Sequence, residues 1–255
     1  MTLDIFNLSG RLALVTGSSQ GIGLSLAEGL AKAGATVVLN GRDEGKLARA
    51  AQMLLDAGLR IGTAAFDVTD EAAAGRAVAQ IEAEQGPIGI LVNNAGMQFR
   101  TSLEDYPLDR WRELMRVNVD SAFIVSKAVA RGMIARKRGK IINVGSVQSE
   151  LGRPTIAPYT ATKGAIKMLT KGMCADWARH GIQVNAIGPG YFKTPLNQAL
   201  VDNPEFTTWL EKRTPAGRWG TTDELIGAAV FLASDASSFV NGHMLYVDGG
   251  ITSVL

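Results

Sequence analysis

Short runs that are almost wholly apolar alternate with segments of helical periodicity along nearly the whole chain, and this alternation limits the fold more than any other feature. Residues 11–16 (RLALVT), 36–39, 61–66, 88–92, 140–144, 183–186 and 244–247 read as strands. Between them, 24–33, 44–57, 70–84, 108–135, 158–179 and 222–233 read as helices. Strands this apolar must be covered on both faces, which a parallel sheet flanked by helices provides. The pattern predicts an α/β protein with one doubly wound domain over residues 1–255, a parallel sheet of about seven strands and helices on both faces. No linker, repeat or low-complexity tract divides it. The least regular stretch, 189–220, carries prolines and glycines near both ends and is expected to be a substrate lid.

Several function classes are excluded by composition. With 46% apolar and 20% charged residues the chain has core enough to fold without a disulfide or metal staple. A net charge of +2 without a long basic run gives no nucleic-acid footprint; Arg136, Lys137, Arg138 and Lys140 cluster, but before an apolar strand, where a solvated turn is expected. The first residues, MTLDIFNL, lack the order of a secretory signal, and runs such as 227–233 are too short to cross a bilayer, so a cytoplasmic protein without a membrane partner is expected. Cys174 is alone, inside a helical pattern, and reads as a small buried apolar residue. His180 and His243 have no ligand-like spacing, and no catalytic metal is expected.

Thr16-Gly17-Ser18-Ser19-Gln20-Gly21-Ile22-Gly23 follows the first strand and opens the first helix. There, backbone N–H groups and the positive helix end can hold a pyrophosphate, which makes Gly17, Ser19, Gln20, Gly21, Ile22 and Gly23 candidate cofactor contacts. The spacing is G-x3-G-x-G instead of G-x-G-x-x-G, and an ordinary tight turn has similar glycines; its place between strand and helix gives it weight. The second strand ends in Asn40-Gly41-Arg42, with no carboxylate for a ribose and with a planar guanidinium suited to a 2′-phosphate. NADP(H) is therefore preferred and NAD(H) remains possible: Gln20 stands where a second cation would strengthen the preference, and Arg42 also fits a solvated residue before an Asp43 N-cap. Asp67-Val68 and Asn94-Ala95-Gly96 close the third and fourth strands at the ligand-binding edge, placed for the adenine and a ribose, although each alone also fits a simple turn.

Tyr159 and Lys163 stand four apart at the start of a helix, so they share a face. A phenol's ordinary pKa of about 10 is too high for a base at neutral pH, and a neighbouring ammonium is expected to lower it. Tyr159 is thus the candidate general acid/base, and Ser146, thirteen positions upstream, the candidate to hold the substrate oxygen. A Tyr-x3-Lys pair is by itself usually a surface pair; the upstream serine and glycine turn set this one apart.

TGSSQGIG, NNAG, Ser146, Tyr159-x3-Lys163 and Pro189-Gly190 together resemble the short-chain dehydrogenase/reductase family over nearly the whole chain. The resemblance implies a single-domain Rossmann-like fold and hydride transfer between a nicotinamide and a secondary alcohol or ketone. It implies that Asn118 completes a tetrad with Ser146, Tyr159 and Lys163, holding a water that links Lys163 to solvent. It also implies that Lys163 binds the nicotinamide ribose, that 187–190, with Pro189 and Gly190, and Thr194 meet the nicotinamide end, and that four chains assemble as a homotetramer through the helices near 108–135 and 157–180. Longer segments, 38–42, 146–151, 157–165, 212–220 and 236–242, resemble the sugar-acid enzymes of the family and imply interconversion of D-gluconate and 5-dehydro-D-gluconate.

A sugar-acid substrate calls for a cation, supplied first by Arg100 and then by Arg153, with Glu150 facing either a hydroxyl or solvent. Three alternatives stay open: reduction of a 3-oxoacyl thioester on an acyl carrier, action on another polyol or keto sugar acid, and a catalytically silent dinucleotide sensor, which the complete tetrad argues against. The apolar end, 251–255, is expected either to pack on a neighbour or to fray.

Overall fold

In a computed structural model describing residues 3–255, seven strands form one sheet: β1 (Leu12–Val15), β2 (Thr36–Gly41), β3 (Ile61–Ala65), β4 (Ile88–Asn93), β5 (Gly139–Val144), β6 (Ile182–Pro189) and β7 (Met244–Val247). All neighbours are parallel, in the order β3-β2-β1-β4-β5-β6-β7. The chain begins mid-sheet, winds out to β3, and returns to lay β4 on the other side of β1. The loops that follow β1 and β4 therefore diverge, and a crevice opens at the carboxyl ends of the strands.

The period of two in each strand divides the core between two faces. Ala13 and Val15 pack with Leu26 and Leu30 of α1 (Gly21–Lys32), Leu47 and Leu54 of α2 (Glu44–Asp56), and Leu232 near the chain's end. Leu12 and Leu14 face the other way, onto Val78 and Ile81 of α3 (Glu71–Gln85) and onto Val129 and Met133, carried by a helix after β4. Each of the larger side chains contributes about 1.5–3 kcal/mol by leaving water. Asp43 and Asp70 cap α2 and α3 by accepting from the backbone N–H of Lys46 and Ala73, at 2.9 and 3.0 Å.

Several boundaries differ from the sequence pattern for identifiable reasons. The helix expected over 108–135 is α4 (Leu108–Met115), a π-helical turn Arg116–Asp120, and α5 (Ser121–Arg136). The wider turn, in which Ser121 N–H reaches the Arg116 carbonyl, leaves the apolar period intact on either side and so is invisible to it. α1 starts at Gly21, not at residue 24, because the helix takes in the glycines that propensity would place outside it. After α6 (Ala157–Trp177), the 189–220 segment is largely helical: a 3₁₀ turn Pro195–Asn197, then α7 (Gln198–Val201) and α8 (Pro204–Arg213). The expected helix 222–233 opens as a 3₁₀ turn Thr222–Leu225, held by a Thr221–Glu224 capping box, and continues as α9 (Ile226–Ala233).

Two surface expectations are corrected. Lys140 is not in a solvated turn: it is 5% exposed and donates to Ser237 Oγ at 3.1 Å, while Arg136 pairs with Glu82 at 3.0 Å. Burial pushes the Lys140 ammonium down to about 8. The apolar end is split: Ile251 packs within its own chain against Val147, Leu210 and Trp219, and only Val254 and Leu255 of its large apolar residues are exposed. Cys174 is partly buried beside the α6 core. Among the described residues no helix is long and apolar enough to cross a membrane, and no three His, Cys, Asp or Glu side chains are grouped to hold a metal ion.

Candidate active site

The carboxyl ends of β1, β2, β4, β5 and β6 converge on one cleft of about 990 Å³. Every site residue expected from the sequence lines it except Asn118, which lies behind its wall, and Glu150. The cleft has two halves, a glycine-turn side and a tyrosine side.

On the first side the turn after β1 is locked to the segment after β4. Thr16 Oγ1 accepts from the backbone N–H of Asn94 and Ala95 at 3.0 and 3.1 Å, and Asn94 Nδ2 donates to the carbonyls of Thr16 and Gly17 at 3.0 and 2.8 Å. Gly17 has φ +59°, and a Cβ there would stand 2.8 Å from Ala95 Cα; a Cβ on Gly23 would run into the Asn94 amide. These two glycines thus serve the turn and its packing, with backbone N–H groups of α1's first turn left facing the cleft.

Asn40 also serves the turn. Its side chain is buried, donates to the carbonyls of Ala64 and Phe66 at 3.1 Å each, and accepts from Gly17 N–H at 3.3 Å. It is a positioning residue whose polar atoms are occupied by protein. Arg42 is 76% exposed at the cleft mouth, 3.9 Å from Asp67 Oδ2. Although burial opposes it, hydrogen bonds from Thr69 and the Arg42 charge hold the Asp67 carboxyl below the usual range. Lys46, one turn into α2, joins Arg42 at this mouth. Its four-residue spacing from Arg42 was the available sequence signal, obscured by the helix start between them.

On the tyrosine side, Ser146 follows β5, its Oγ accepts from Gln148 N–H at 3.1 Å, and it acts on the Tyr159 phenol by favouring its charged form. Tyr159 and Lys163 share a face of α6 as their spacing required, but the expected lowering of the phenol is not found. Lys163 Nζ lies 5.5 Å from the Tyr159 ring centre and donates to the Val144 carbonyl at 2.8 Å. Burial pushes the Tyr159 phenol up to about 12, against the opposing effects of Ser146 and Arg100, and burial pushes the Lys163 ammonium down to about 8. Asn118, in the π turn, accepts from Met97 N–H at 2.8 Å and donates to the Met97 carbonyl and Thr162 Oγ1 at 3.0 and 3.1 Å. Its side chain clasps the 94–100 wall onto α6.

Arg100 and Arg153 both reach the cleft and are half-buried. Arg100 donates to Gln98 Oε1 at 3.0 Å; Arg153 lies 5.1 Å over the Phe206 ring of α8. The Nε of each is buried without a hydrogen-bond partner, and neither has an acidic partner among the ion pairs. Gln98, Gln148 and Tyr191, which sequence reasoning missed, complete this end. Glu150 is turned elsewhere, accepting from Lys167 and from Tyr246 OH. Pro189, Gly190 and Thr194 line the cleft between the two halves, where β6 passes into the helical segment that carries Tyr191, Phe206, Trp209 and Trp219 as a cluster of aromatic rings.

A family profile described as enoyl-(acyl carrier protein) reductase matches residues 17–252. The chain is 61% identical to gluconate 5-dehydrogenase of Gluconobacter oxydans (strain 621H), over 98% of this chain and 97% of that one. It is 53% identical to 5-keto-D-gluconate 5-reductase of Escherichia coli (strain K12), over 97% and 98%. The crystal structure of a gluconate 5-dehydrogenase from Burkholderia cenocepacia J2315 in complex with NADP and tartrate superposes with a TM-score of 0.97 at 61% identity, covering 99% of each chain. With its sheet order, its glycine turn and its Ser146, Tyr159 and Lys163 on one cleft, the chain belongs to the short-chain dehydrogenase/reductase family.

Proposed function

We propose that this protein is an NADP(H)-dependent oxidoreductase that interconverts D-gluconate and 5-dehydro-D-gluconate, with Ser146, Tyr159, Lys163 and Asn118 as its working set. The observation that carries the substrate class is the pair of half-buried arginines, unpaired with any acid, that line the cleft, Arg100 in electrostatic reach of Tyr159. An anionic, polyhydroxylated ligand suits them and the neighbouring glutamines. The relatives named for gluconate and its 5-keto acid point to the same chemistry.

The residues present fit NADP(H). The glycine turn leaves room for a pyrophosphate, the end of β2 carries no carboxylate, and Arg42 and Lys46 gather positive charge at the mouth. When bound, the cofactor supplies or takes the hydride and, oxidised, adds a positive ring charge. The chain's own residues do the rest. Ser146 Oγ holds the reacting oxygen; Tyr159, protonated over the whole neutral range, gives its proton to that oxygen during reduction and recovers it during oxidation. Lys163, anchored on the Val144 carbonyl, lies on the same helix face as the phenol and lines the cofactor side of the cleft, and Asn118 fixes the wall through Met97. The Asn118 amide is occupied by Met97 and Thr162, so its side chain acts here by positioning that wall.

Residues 189–220 act as the lid, with α7 and α8 as its body. The protein works in the cytoplasm as a homotetramer; Phe123 on α5 and Met168 on α6, 50% and 61% exposed, give those helices apolar surface to pair. A 3-oxoacyl thioester suits the cleft less well, since its tyrosine end is walled by Arg100, Arg153, Gln98 and Gln148.

The test is NADPH consumption by the purified protein with 5-keto-D-gluconate, beside NADH and beside an acetoacetyl thioester. Turnover with NADPH and the keto acid is expected, falling about 10²–10⁴-fold in Tyr159→Phe while NADPH still binds. Turnover of the thioester alone would overturn the substrate, and cofactor binding without any turnover would establish the sensor.

A further inference from the structure

Arg100 and Arg153 are brought together by a specific device. Thr101 N–H donates to the Thr155 carbonyl at 3.2 Å, so the loop after β4 is zipped to the loop that leads into α6. Thr155 holds φ +69°, a left-handed conformation unfavourable for a β-branched residue and tolerated where the surrounding structure fixes it. Two cations are therefore set side by side in a partly desolvated wall, where their mutual repulsion is not screened as it would be in water. Burial and the neighbouring Arg153 both disfavour charge on Arg100.

The two guanidinium groups are held on different supports. Arg100 ends the 94–100 wall that Asn118 clasps, and its Nη2 is fixed on Gln98, so it belongs to the reacting end beside Tyr159. Arg153 leans over Phe206 of α8, so it belongs to the lid end, with Tyr191 in electrostatic reach of both arginines. Each keeps a buried Nε–H without an acceptor. A single carboxylate on the far Arg153 satisfies one of them and leaves Arg100 beside the reacting carbon's substituents.

We propose that the cleft has two separate carboxylate seats, Arg153 at the far end and Arg100 at the reacting end, and that it therefore binds hydroxy-dicarboxylates, sugar acids oxidised at both ends, more tightly than the monocarboxylate of equal length. The proposal rests on the sugar-acid reading for the length and orientation of the ligand. A six-carbon monocarboxylate reacting at its fifth carbon places its carboxylate four carbons from the reacting centre, at Arg153, and its terminal hydroxymethyl at Arg100. The corresponding dicarboxylate puts a second anion on Arg100 and completes the charge balance of the wall.

Calorimetric titration of the NADP⁺-loaded enzyme with D-glucarate and D-gluconate tests this. D-Glucarate is expected to bind about tenfold more tightly, a difference of about 1.4 kcal/mol. Arg100→Gln should remove most of that preference by weakening D-glucarate alone, Arg100→Lys should keep part of it, and Arg153→Gln should weaken both ligands by the same factor. Equal affinities in the unaltered enzyme, or equal losses of D-gluconate binding in Arg100→Gln and Arg153→Gln, would mean one shared seat and overturn the proposal. Turnover of 5-keto-D-gluconate, measured on the same preparation, separates the two readings. Turnover without a D-glucarate preference refutes the two seats and leaves the gluconate function. A D-glucarate preference without turnover supports the two seats and removes that function.

Discussion

Replacing Gly17 by alanine tests the glycine turn, and Gly58 provides the matched control. Both residues have positive φ, +59° and +77°, but a Cβ on Gly58 meets nothing within 4 Å whereas one on Gly17 stands 2.8 Å from Ala95 Cα. The left-handed backbone costs an L-residue about 1–2 kcal/mol, which is the whole expectation for Gly58→Ala. Gly17→Ala adds an overlap with backbone that cannot yield freely, because Thr16 holds Asn94 and Ala95 by two hydrogen bonds and donates a third to the Val92 carbonyl, while Asn94 returns two to the turn. Overpacking of that kind costs about 1–3 kcal/mol more, giving about 2–5 kcal/mol in all. At about 2–4 °C per kcal/mol for a domain approaching this size, Gly58→Ala should lower Tm by about 2–8 °C and Gly17→Ala by clearly more. The displacement also moves the backbone N–H groups that face the cleft, so NADPH affinity, followed by its fluorescence, should fall at least about tenfold in Gly17→Ala and stay unchanged in Gly58→Ala. Equal melting points and unaltered NADPH affinity in the two variants would refute both the steric reasoning and the assignment of the turn.

Arg42→Ala should raise the KM for NADPH by about 10–100-fold, the loss of one or two charge-assisted contacts, and change that for NADH little; a parallel loss with both cofactors would place Arg42 elsewhere. Since the Tyr159 phenol keeps its proton to about 12, keto-acid reduction should be flat from neutral pH until Lys163 begins to lose its proton near 8, and then decline, while alcohol oxidation rises over the same range. A reduction rate already falling below pH 7 would point to another group. Lys140, pushed down to about 8 by burial, is protonated in the unfolded chain up to about 10.4, so between these values the unfolded state binds more protons and stability rises with pH. Lys163 acts in the same direction over the same window, and Lys140→Met should therefore roughly halve the slope of unfolding free energy against pH between 8 and 10; an unchanged slope would show that burial of Lys140 is not its source.

What the amino-acid order made legible was local. Fully apolar strands and the glycine turn each occupy a few consecutive residues, Ser146, Tyr159 and Lys163 lie within eighteen, and the strand ends, the turn and these three fall on the cleft. What escaped was the partner of a polar side chain when that partner lies far along the chain. Lys140 finds Ser237, Asn40 finds Ala64 and Phe66, and Asn118 finds Met97 and Thr162, so a residue read as solvated, one read as a cofactor contact and one read as a water holder are each tied to protein. The Tyr159–Lys163 pair shows the same limit at short range. A spacing of four fixes a shared helix face but not the direction of a long side chain, and Lys163 turns to the nearest buried acceptor, the Val144 carbonyl. The positive charge that pulls the phenol downward comes instead from Arg100, a residue that the sequence assigned to substrate alone. An anion brought to Arg100, as the second carboxylate of a dicarboxylate would be, offsets that charge and favours the protonated phenol, whereas a hydroxymethyl group there leaves the charge in place.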